Sequence, residues 1–443
     1  MTENTSENWV PTSEEQLPGA PPARTGHLWS FVGVWLFTFI VYARPYEWSP
    51  SLSWLSSSAF WVAISTVVLF LPTQLGVEGK LTAEREVKLV MGLVVTGLLS
   101  IPMALSPSLA WAQLVEYLKV VVIFIVMVNA VRTTGRLKAL LLLILLITVV
   151  VSVVAVRDYL TGNFALQGVR IEGVIGGMFA NPNDLALHLV TMIPITLALA
   201  FGSEGLFAKF LYFIIALSII AGVIATFSRA GFLGLIVTLG ALTWRLTRRN
   251  KGLVLAGLLG PLLLVPLLAG YSGRFTTNEG SAINRMDDLK MSINVALHHP
   301  LVGIGMNNYR FYSNQNQASH NAYTQVWSEM GFLALPLYLG LLVSPLKGLR
   351  KAGNPAGEGK RDEKSFLAIG LEVAIYGYMV ASFFASVAYL WYAYYLIAFS
   401  ICVRKIALDT ASTSTPVDAE TTEEAVVYET ADGASQGIST AEP

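Results

Sequence analysis

Long apolar runs follow one another along almost the whole chain, and no other feature limits its fold so strongly. A helix that crosses a bilayer needs about 20 mainly apolar residues. Inside a membrane every backbone N–H and C=O must be hydrogen-bonded within the protein, which favours helices. The sequence therefore predicts an all-α polytopic membrane protein with about 12 transmembrane helices. They lie near residues 28–43, 54–73, 87–104, 111–130, 137–156, 183–201, 206–226, 231–246, 252–270, 322–346, 366–385 and 388–403.

Lys and Arg residues occur mainly in alternate connecting segments. Short loops rich in these residues stay in the cytoplasm, and 20 of the 29 lie on one side when the N-terminus is inside. This pattern predicts both termini in the cytoplasm and a transmembrane catalytic domain at 28–403. The polar tails at 1–27 and 404–443 are predicted to be disordered. Two long segments, 157–182 and 271–321, are predicted to face outward, the second between spans 9 and 10.

The composition excludes several classes of protein. Hydrophobic residues make up 54% of the chain and charged residues 13%, whereas soluble domains carry about 25% charged residues. The 29 basic residues balance the 29 acidic ones, so the basic excess typical of nucleic-acid binders is missing. Cys402 is the one cysteine, which excludes an internal disulfide and a multi-cysteine metal site. The polar, proline-rich N-terminal segment predicts no cleaved signal peptide.

We predict neither a metal ion nor a cofactor. The adjacent imidazoles of His298 and His299 have no further ligands at a suitable spacing. Asp287 and Asp288 are direct neighbours, so they do not form the DxD pattern of metal-dependent glycosyltransferases.

Five arginines of the outward segments are candidates for phosphate binding. Arginine binds phosphate through two parallel hydrogen bonds and keeps its charge at low dielectric. An outward cleft lined by arginine would suit a lipid-linked phosphate or diphosphate. The five are Arg170, Arg229, Arg274, Arg285 and Arg310.

Two of these arginines have a more specific sequence context. Arg229 lies in a very short turn between two spans, which holds its side chain close to the membrane plane. The alternative is simple contact with lipid headgroups. Arg285 begins an amphipathic pattern that predicts a surface helix along the membrane. The alternative for Arg285 is a surface ion pair with Asp288, which would contribute little.

Polar residues open the tenth predicted span. Asn321, Gln325 and Glu329 follow at intervals of four, which predicts one polar stripe descending into the bilayer. Polar groups at that depth face the interior of a helix bundle. His320 stands at the mouth of the stripe and titrates near neutrality, so it is suited to take a proton from a hydroxyl. The alternative is a histidine that caps the helix start.

Three further polar residues have both a structural and a functional interpretation. Asn181 and Asn183 flank Pro182 before the sixth span. They fit ordinary helix-start chemistry, or they shape the cleft. Lys119 lies within the fourth span, three residues after Glu116. It either forms a mutually neutralising pair with Glu116 or lines the path of the lipid phosphate.

Four stretches, in this order, resemble the O-antigen ligase and polymerase superfamily. The resemblance extends over about residues 80–400, and the large outer loop also matches the layout of the family. The stretches are 178–186 (MFANPNDLA), 228–231 (SRAG), Arg285 ahead of 299–305 (HPLVGIG), and 320–323 (HNAY) with 329–331 (EMG).

The resemblance implies a GT-C-like glycosyltransferase that inverts the anomeric centre without a metal ion. It implies a multi-pass protein of the bacterial cytoplasmic (inner) membrane with an active site facing the periplasm. The donor would be a glycan on undecaprenyl diphosphate and the acceptor a sugar hydroxyl of lipid A–core. Membrane lipids would surround the protein, and no nucleic acid would bind.

The resemblance also implies roles for individual residues. Arg229 and Arg285 would bind the diphosphate and stabilise its leaving charge, while His320 would act as general base or orient the acceptor hydroxyl. Further substrate contacts are predicted at Arg170, Asn181, Asn183, Asn321, Arg274, Arg310, Lys119 and Glu329.

Other functions stay open at this point. O-antigen or exopolysaccharide polymerases and protein O-oligosaccharyltransferases share these motifs and differ in the acceptor. The intact His320-Asn321 start and the moderate outer loop favour a ligase. A small-anion transporter is the alternative from another class. Transporters commonly show inverted repeats, whereas here no such symmetry is visible and the polar groups concentrate on one side.

Overall fold

The computed structural model is helical throughout the residues that it describes. These are 26–79, 81, 82, 84–163, 171, 175–247, 250–260, 279–313, 316–354 and 361–413. Helix accounts for 82% of the structure, and the described residues include no strand. The α-helices are α1 (Leu28–Ala43), α2 (Pro45–Trp48), α3 (Ser58–Glu78), α4 (Arg85–Ser100), α5 (Pro107–Ala130), α6 (Thr134–Leu160), α7 (Pro182–Gly202), α8 (Leu206–Ala225), α9 (Arg229–Leu246), α10 (Lys251–Leu259), α11 (Glu279–His298), α12 (Ala322–Met330), α13 (Ala334–Ala352), α14 (Glu363–Ala381) and α15 (Trp391–Thr413).

Nine helical segments in the described part of the chain are long and apolar enough to cross a membrane. This confirms the prediction of a polytopic membrane protein. The count of twelve spans stays a prediction. The segment 261–270, which would complete the ninth predicted span, lies outside the described residues, as do residues 1–25 and 414–443.

The bundle is built around α7. This helix is buried along most of its length and packs against α8, α9 and α14. Gly370 of α14 makes the closest part of this packing possible, because a Cβ atom there would lie 2.6 Å from the Cβ of Ala198. Small residues let helix backbones approach closely in membranes, where dispersion contacts replace the hydrophobic effect between helices.

The outer helices leave apolar side chains on the surface of the bundle. Leu206, Phe207 and Phe210 of α8 are each more than 60% exposed, and so are Trp61 and Val68 of α3. In water such a surface would be a liability, but in a bilayer it is the surface that contacts lipid. The exposure pattern therefore agrees with the composition.

Ion pairs connect helices at the end of the bundle that is predicted to face the cytoplasm. Glu372 of α14 accepts hydrogen bonds from Arg245 of α9 at 2.8 Å and from Arg350 of α13 at 2.9 Å. Arg404 of α15 pairs with Glu84 at 2.6 Å and with Glu86 at 2.9 Å. Basic residues that the sequence assigns to cytoplasmic loops thus also hold the ends of the helices together.

The tenth predicted span is not one helix. It consists of the short helix α12 and the longer helix α13, and the chain changes direction between them at Gly331, whose φ is 84°. The final apolar run does divide in two as predicted, because α14 ends at Ala381 and α15 begins at Trp391. Helix α15 continues to Thr413, past the predicted boundary at 403.

The predicted surface helix after residue 283 is present as α11. Residues 25–406 form one compact unit. The flanking residues form a second unit, of which only the last turns of α15 are described.

Candidate active site

The segment between α11 and α12 packs against the C-terminal end of α12. Its backbone donates from Ile304 N to the Ser328 carbonyl at 3.0 Å and from Gly305 N to the Glu329 carbonyl at 2.9 Å. Gly303 allows this contact: its φ is 72°, and a Cβ atom there would lie 2.5 Å from the carbonyl carbon of Glu329. A glycine adopts such a conformation without steric cost. The glycines of this stretch therefore permit the close packing of the loop on α12.

Arg229 is fixed at the first position of α9. Ser228 caps the helix by accepting from Gly231 N at 3.2 Å and donates its own hydroxyl to Asn183 Oδ1 at 2.9 Å. The preceding residue, Phe227, has a left-handed φ of 51°. The turn thus joins the N-terminal ends of α7 and α9 and leaves the Arg229 side chain exposed.

Arg285 of α11 lies close enough to Arg229 for the two positive charges to act on each other. Burial lowers the pKa of Arg285 below its ordinary value, and the charge of Arg229 lowers it further. Among the described residues, no carboxylate forms an ion pair with Arg285. An anion with two negative charges would relieve the repulsion between two such guanidinium groups, and arginine is the side chain that binds phosphate bidentately.

His320 lies beside the same arginine, immediately before the cap of α12. Its Nε2 is 3.0 Å from Gln317 Oε1, and its φ of 52° is left-handed. Left-handed backbone at a residue other than glycine is uncommon and costs energy. Burial lowers the pKa of His320, the positive charge of Arg285 lowers it further, and the negative charge of Asp288 raises it. Burial and Arg285 thus favour the neutral imidazole, which is the form that can accept a proton.

Asp288 is the residue of this group that the sequence did not single out. Its side chain is only 8% exposed, and Tyr309 donates its hydroxyl to the Asp288 carbonyl at 2.9 Å. The predicted alternative, a surface ion pair between Arg285 and Asp288, is not found. The sequence carries one signal for the burial of Asp288. Asp287 and Asp288 are adjacent, and two neighbouring positions on a helix point in different directions.

Residues 213–339 match the family model described as O-antigen ligase. The chain carries an O-antigen ligase domain. Arg229, Arg285, Asp288 and His320 all lie within the matched segment. Among curated proteins, none matches the chain.

Two predicted substrate-binding residues of the O-antigen ligase domain have internal partners. Asn321 caps α12: its Oδ1 accepts from Tyr323 N at 2.9 Å and from Thr324 N at 3.0 Å. Glu329 is 3% exposed and accepts from the Tyr389 hydroxyl at 2.9 Å. Both positions favour a role in building the loop. For both, substrate contact stays a prediction.

Arg310, within the same O-antigen ligase domain, is exposed, and its Nη2 donates to Asn307 Oδ1 at 2.7 Å. Arg274 belongs to the matched segment but lies outside the described residues, and so does Arg170, which precedes the segment.

The remaining predicted residues precede the O-antigen ligase domain. Asn181 caps α7 by accepting from Asn183 N at 2.8 Å, as ordinary helix-start chemistry predicts. Asn183 contacts the turn before Arg229 through Ser228, so it adjoins the site. Lys119 pairs with Glu116 at 2.6 Å on the surface of α5, the neutralising arrangement considered from the sequence.

Within the described part of the chain, no group of three His, Cys, Asp or Glu side chains is arranged to hold a metal ion. The charged groups that the O-antigen ligase domain brings together are the two guanidiniums, the imidazole and the Asp288 carboxylate. This set can bind an anion and move a proton.

Proposed function

We propose that the protein transfers a glycan from undecaprenyl diphosphate to a sugar hydroxyl of lipid A–core on the periplasmic face of the bacterial cytoplasmic membrane. The transfer would invert the anomeric centre and need no metal ion. The observation that carries the proposal is the juxtaposition of Arg229, Arg285 and His320 within the O-antigen ligase domain.

The proposed chemistry assigns one task to each part of the site. The bond between the anomeric carbon and the diphosphate oxygen breaks, and negative charge accumulates on the leaving diphosphate. Fixed guanidiniums at Arg229 and Arg285 stabilise that charge without the reorganisation that water would need. The acceptor oxygen attacks from the opposite face of the sugar, and its proton passes to His320. The desolvated imidazole is neutral at the start and therefore has a lone pair to receive that proton.

The same arrangement would serve a polymerase or a protein O-oligosaccharyltransferase, because these reactions share the donor and differ in the acceptor. The first test is therefore a transfer assay on the purified protein with an undecaprenyl-diphosphate glycan in the presence of EDTA. Lipid A–core, a second lipid-linked glycan and a candidate protein are offered separately. We expect product on lipid A–core alone. Product on another acceptor would reassign the subfamily, whereas movement of small anions into liposomes without any transfer would support a transporter.

The site assignment is tested with variants of the three residues. Arg229→Ala, Arg285→Ala and His320→Ala should each reduce transfer at least about 100-fold, since each removes charge stabilisation or proton transfer. Arg229→Lys and Arg285→Lys should lose most of the activity as well, because a lysine cannot bind a phosphate bidentately. Arg157→Ala is the matched control: this arginine also belongs to an outward segment, but it pairs with Asp158 at 2.9 Å. Near-normal transfer by the three alanine variants would overturn the assignment.

A further inference from the structure

Two adjacent carboxylates of α11 have opposite environments. The side chain of Asp287 is 61% exposed and lies 3.8 Å from the amine of Lys290. Asp288 is turned into the protein and is 8% exposed. A buried carboxylate costs desolvation energy and is normally retained next to a partner that benefits from its charge. No basic side chain in the described residues forms an ion pair with Asp288.

The segment that leads to His320 is attached to Asp288. The Tyr309 hydroxyl donates to the Asp288 carbonyl at 2.9 Å, and the Ser313 hydroxyl lies 3.5 Å from Asp288 Oδ1. Helix α11, which carries Asp288, also packs on α12, at whose start His320 lies. These contacts connect the part of α11 that carries Asp288 with the segment that leads to His320, and the negative charge of Asp288 acts on the imidazole.

We propose that Asp288 is a positioning residue that supports His320 during glycan transfer. When His320 accepts the acceptor's proton, a positive imidazolium forms beside the positive guanidinium of Arg285. The Asp288 carboxylate lies on the same helix as Arg285. Its negative charge offsets this repulsion and stabilises the imidazolium as it forms. The inference rests on the proposed function, in which His320 is the base.

The charged groups that act on His320 predict in which direction the removal of each charge changes the pKa of His320. In the described residues these are Arg285 and Asp288, both on α11, while Arg229 of α9 acts on Arg285. Removal of the Asp288 charge leaves the imidazolium with less stabilisation, so the pKa of His320 falls. Removal of the Arg285 charge has the opposite effect, and the pKa rises.

The first experiment needs no substrate. The full-length protein in detergent is treated with diethyl pyrocarbonate, which reacts with neutral imidazole, and modification of His320 is followed by peptide mass spectrometry as a function of pH. For Asp288→Asn the midpoint should move to lower pH by about half a unit or more, the effect of one nearby charge. For Arg285→Gln it should move to higher pH. Asp288→Glu, which keeps the charge, should restore a midpoint near that of the wild type.

Asp287→Asn is the matched control, because it removes an equal charge from the neighbouring exposed position. Its midpoint should equal that of the wild type. Asp288→Ser is measured alongside Asp288→Asn, so that the result does not depend on the folding of one variant. Equal midpoints in the wild type, Asp287→Asn and both neutral Asp288 variants would overturn the proposal.

The second experiment measures transfer against pH. A base must be unprotonated, so kcat/KM falls on the acid side around its pKa. Asp288→Asn should shift this acid limb to lower pH and should also lower the maximal rate. Tyr309→Phe removes one contact between Asp288 and the segment that leads to His320, and it should move the limb in the same direction by a smaller amount. An unmoved limb in Asp288→Asn would count against the inference. Absence of wild-type transfer together with the expected modification shifts would instead overturn the proposed function.

Discussion

Lys119 illustrates how a single charge on a predicted span is explained by its neighbour. It forms an ion pair with Glu116, one turn away, and the two side chains are 41% and 64% exposed. Such a pair has a small net effect, because solvent screens it and both side chains lose conformational freedom. The geometry offers no reason for a substrate role.

We therefore expect Lys119→Ala to leave transfer within about twofold of the wild type. The melting temperature should change little, since an exposed ion pair contributes about 0–1 kcal/mol. Transfer and thermal unfolding of the purified protein provide the two measurements. A large loss of activity with an unchanged melting temperature would place Lys119 on the path of the lipid phosphate after all.

The roles of Arg229, Arg285 and His320 stay a prediction, while the structure shows charge interactions that link them. Arg229 and Arg285 were selected as outward arginines and His320 as the residue at the mouth of the polar stripe, and the family resemblance joined the three. Asp288 was missed because a spacing of three from Arg285 suggests an ion pair on the helix surface. Whether Asp288 is exposed or buried depends on the rotation of α11 about its axis. Contacts from Tyr309 and Ser313 fix that rotation.

At the scale of elements, the break between α12 and α13 is the main difference from the helices predicted from the sequence. Apolar residues continue through this region, so a pattern based on hydrophobicity predicts one span. The break depends on tertiary contacts: Phe332 N donates to the Pro300 carbonyl at 2.7 Å, and the segment from Gly303 to Gly305 covers the end of α12. Gly331 is the local signal for such a break, because glycine favours left-handed backbone at helix ends.

Gly303→Ala tests this arrangement. Its Cβ would lie 2.5 Å from the carbonyl carbon of Glu329, and alanine would be strained at a φ of 72°. We expect a loss of roughly 1–3 kcal/mol in the stability of this region, seen as a lower melting temperature and a large loss of transfer. Gly340→Ala in α13 is the control, because a Cβ there would be 3.6 Å from the methyl groups of Leu89. Equal stability of the two variants would contradict the role given to Gly303.

For the whole molecule, the buried ion pair between Arg245 and Glu372 makes the sharpest stability prediction. Both side chains are 1% exposed, and Glu372→Gln would leave a buried guanidinium without its countercharge. Loss of one partner of a buried pair costs about 3–5 kcal/mol, so folded yield and melting temperature should both fall sharply. Glu363→Gln removes a carboxylate that pairs with Lys138 at 2.6 Å in a half-exposed position, and it should cost much less. A similar small effect in both variants would contradict this prediction.

The threading of the chain through the membrane is a second whole-molecule prediction. Cys402 is buried, so new cysteines at exposed positions can be labelled selectively. In spheroplasts, a membrane-impermeant maleimide should label Asn163→Cys and Leu301→Cys directly, and Lys251→Cys only after the membrane is opened. The reverse pattern would invert the predicted topology.

The sequence predicted a helical architecture with many apolar spans because the bilayer imposes a simple rule on span length, whereas the orientation inferred from basic residues stays a prediction. It predicted twelve spans, whereas nine described segments meet strict criteria of length and apolarity. Helices such as α13 fall short because basic residues extend into them: Lys347, Arg350 and Lys351 occupy its last two turns. Of these, Arg350 also donates to the buried carboxylate of Glu372, and a rule based on hydropathy does not account for that contact.

Arg229 and Arg285 repel one another until an anion lies between them, which has a consequence for the rate of turnover. In the proposed reaction, the attraction that draws in a lipid-linked donor would act equally on the lipid diphosphate that remains after the glycan has left. Bond formation would then be followed by a slow departure of this by-product, a common rate-limiting step in enzymes. In such a cycle the lipid diphosphate that has lost its glycan would occupy the protein for most of the time. The rate of turnover would then depend on how quickly this lipid leaves the site and enters the membrane.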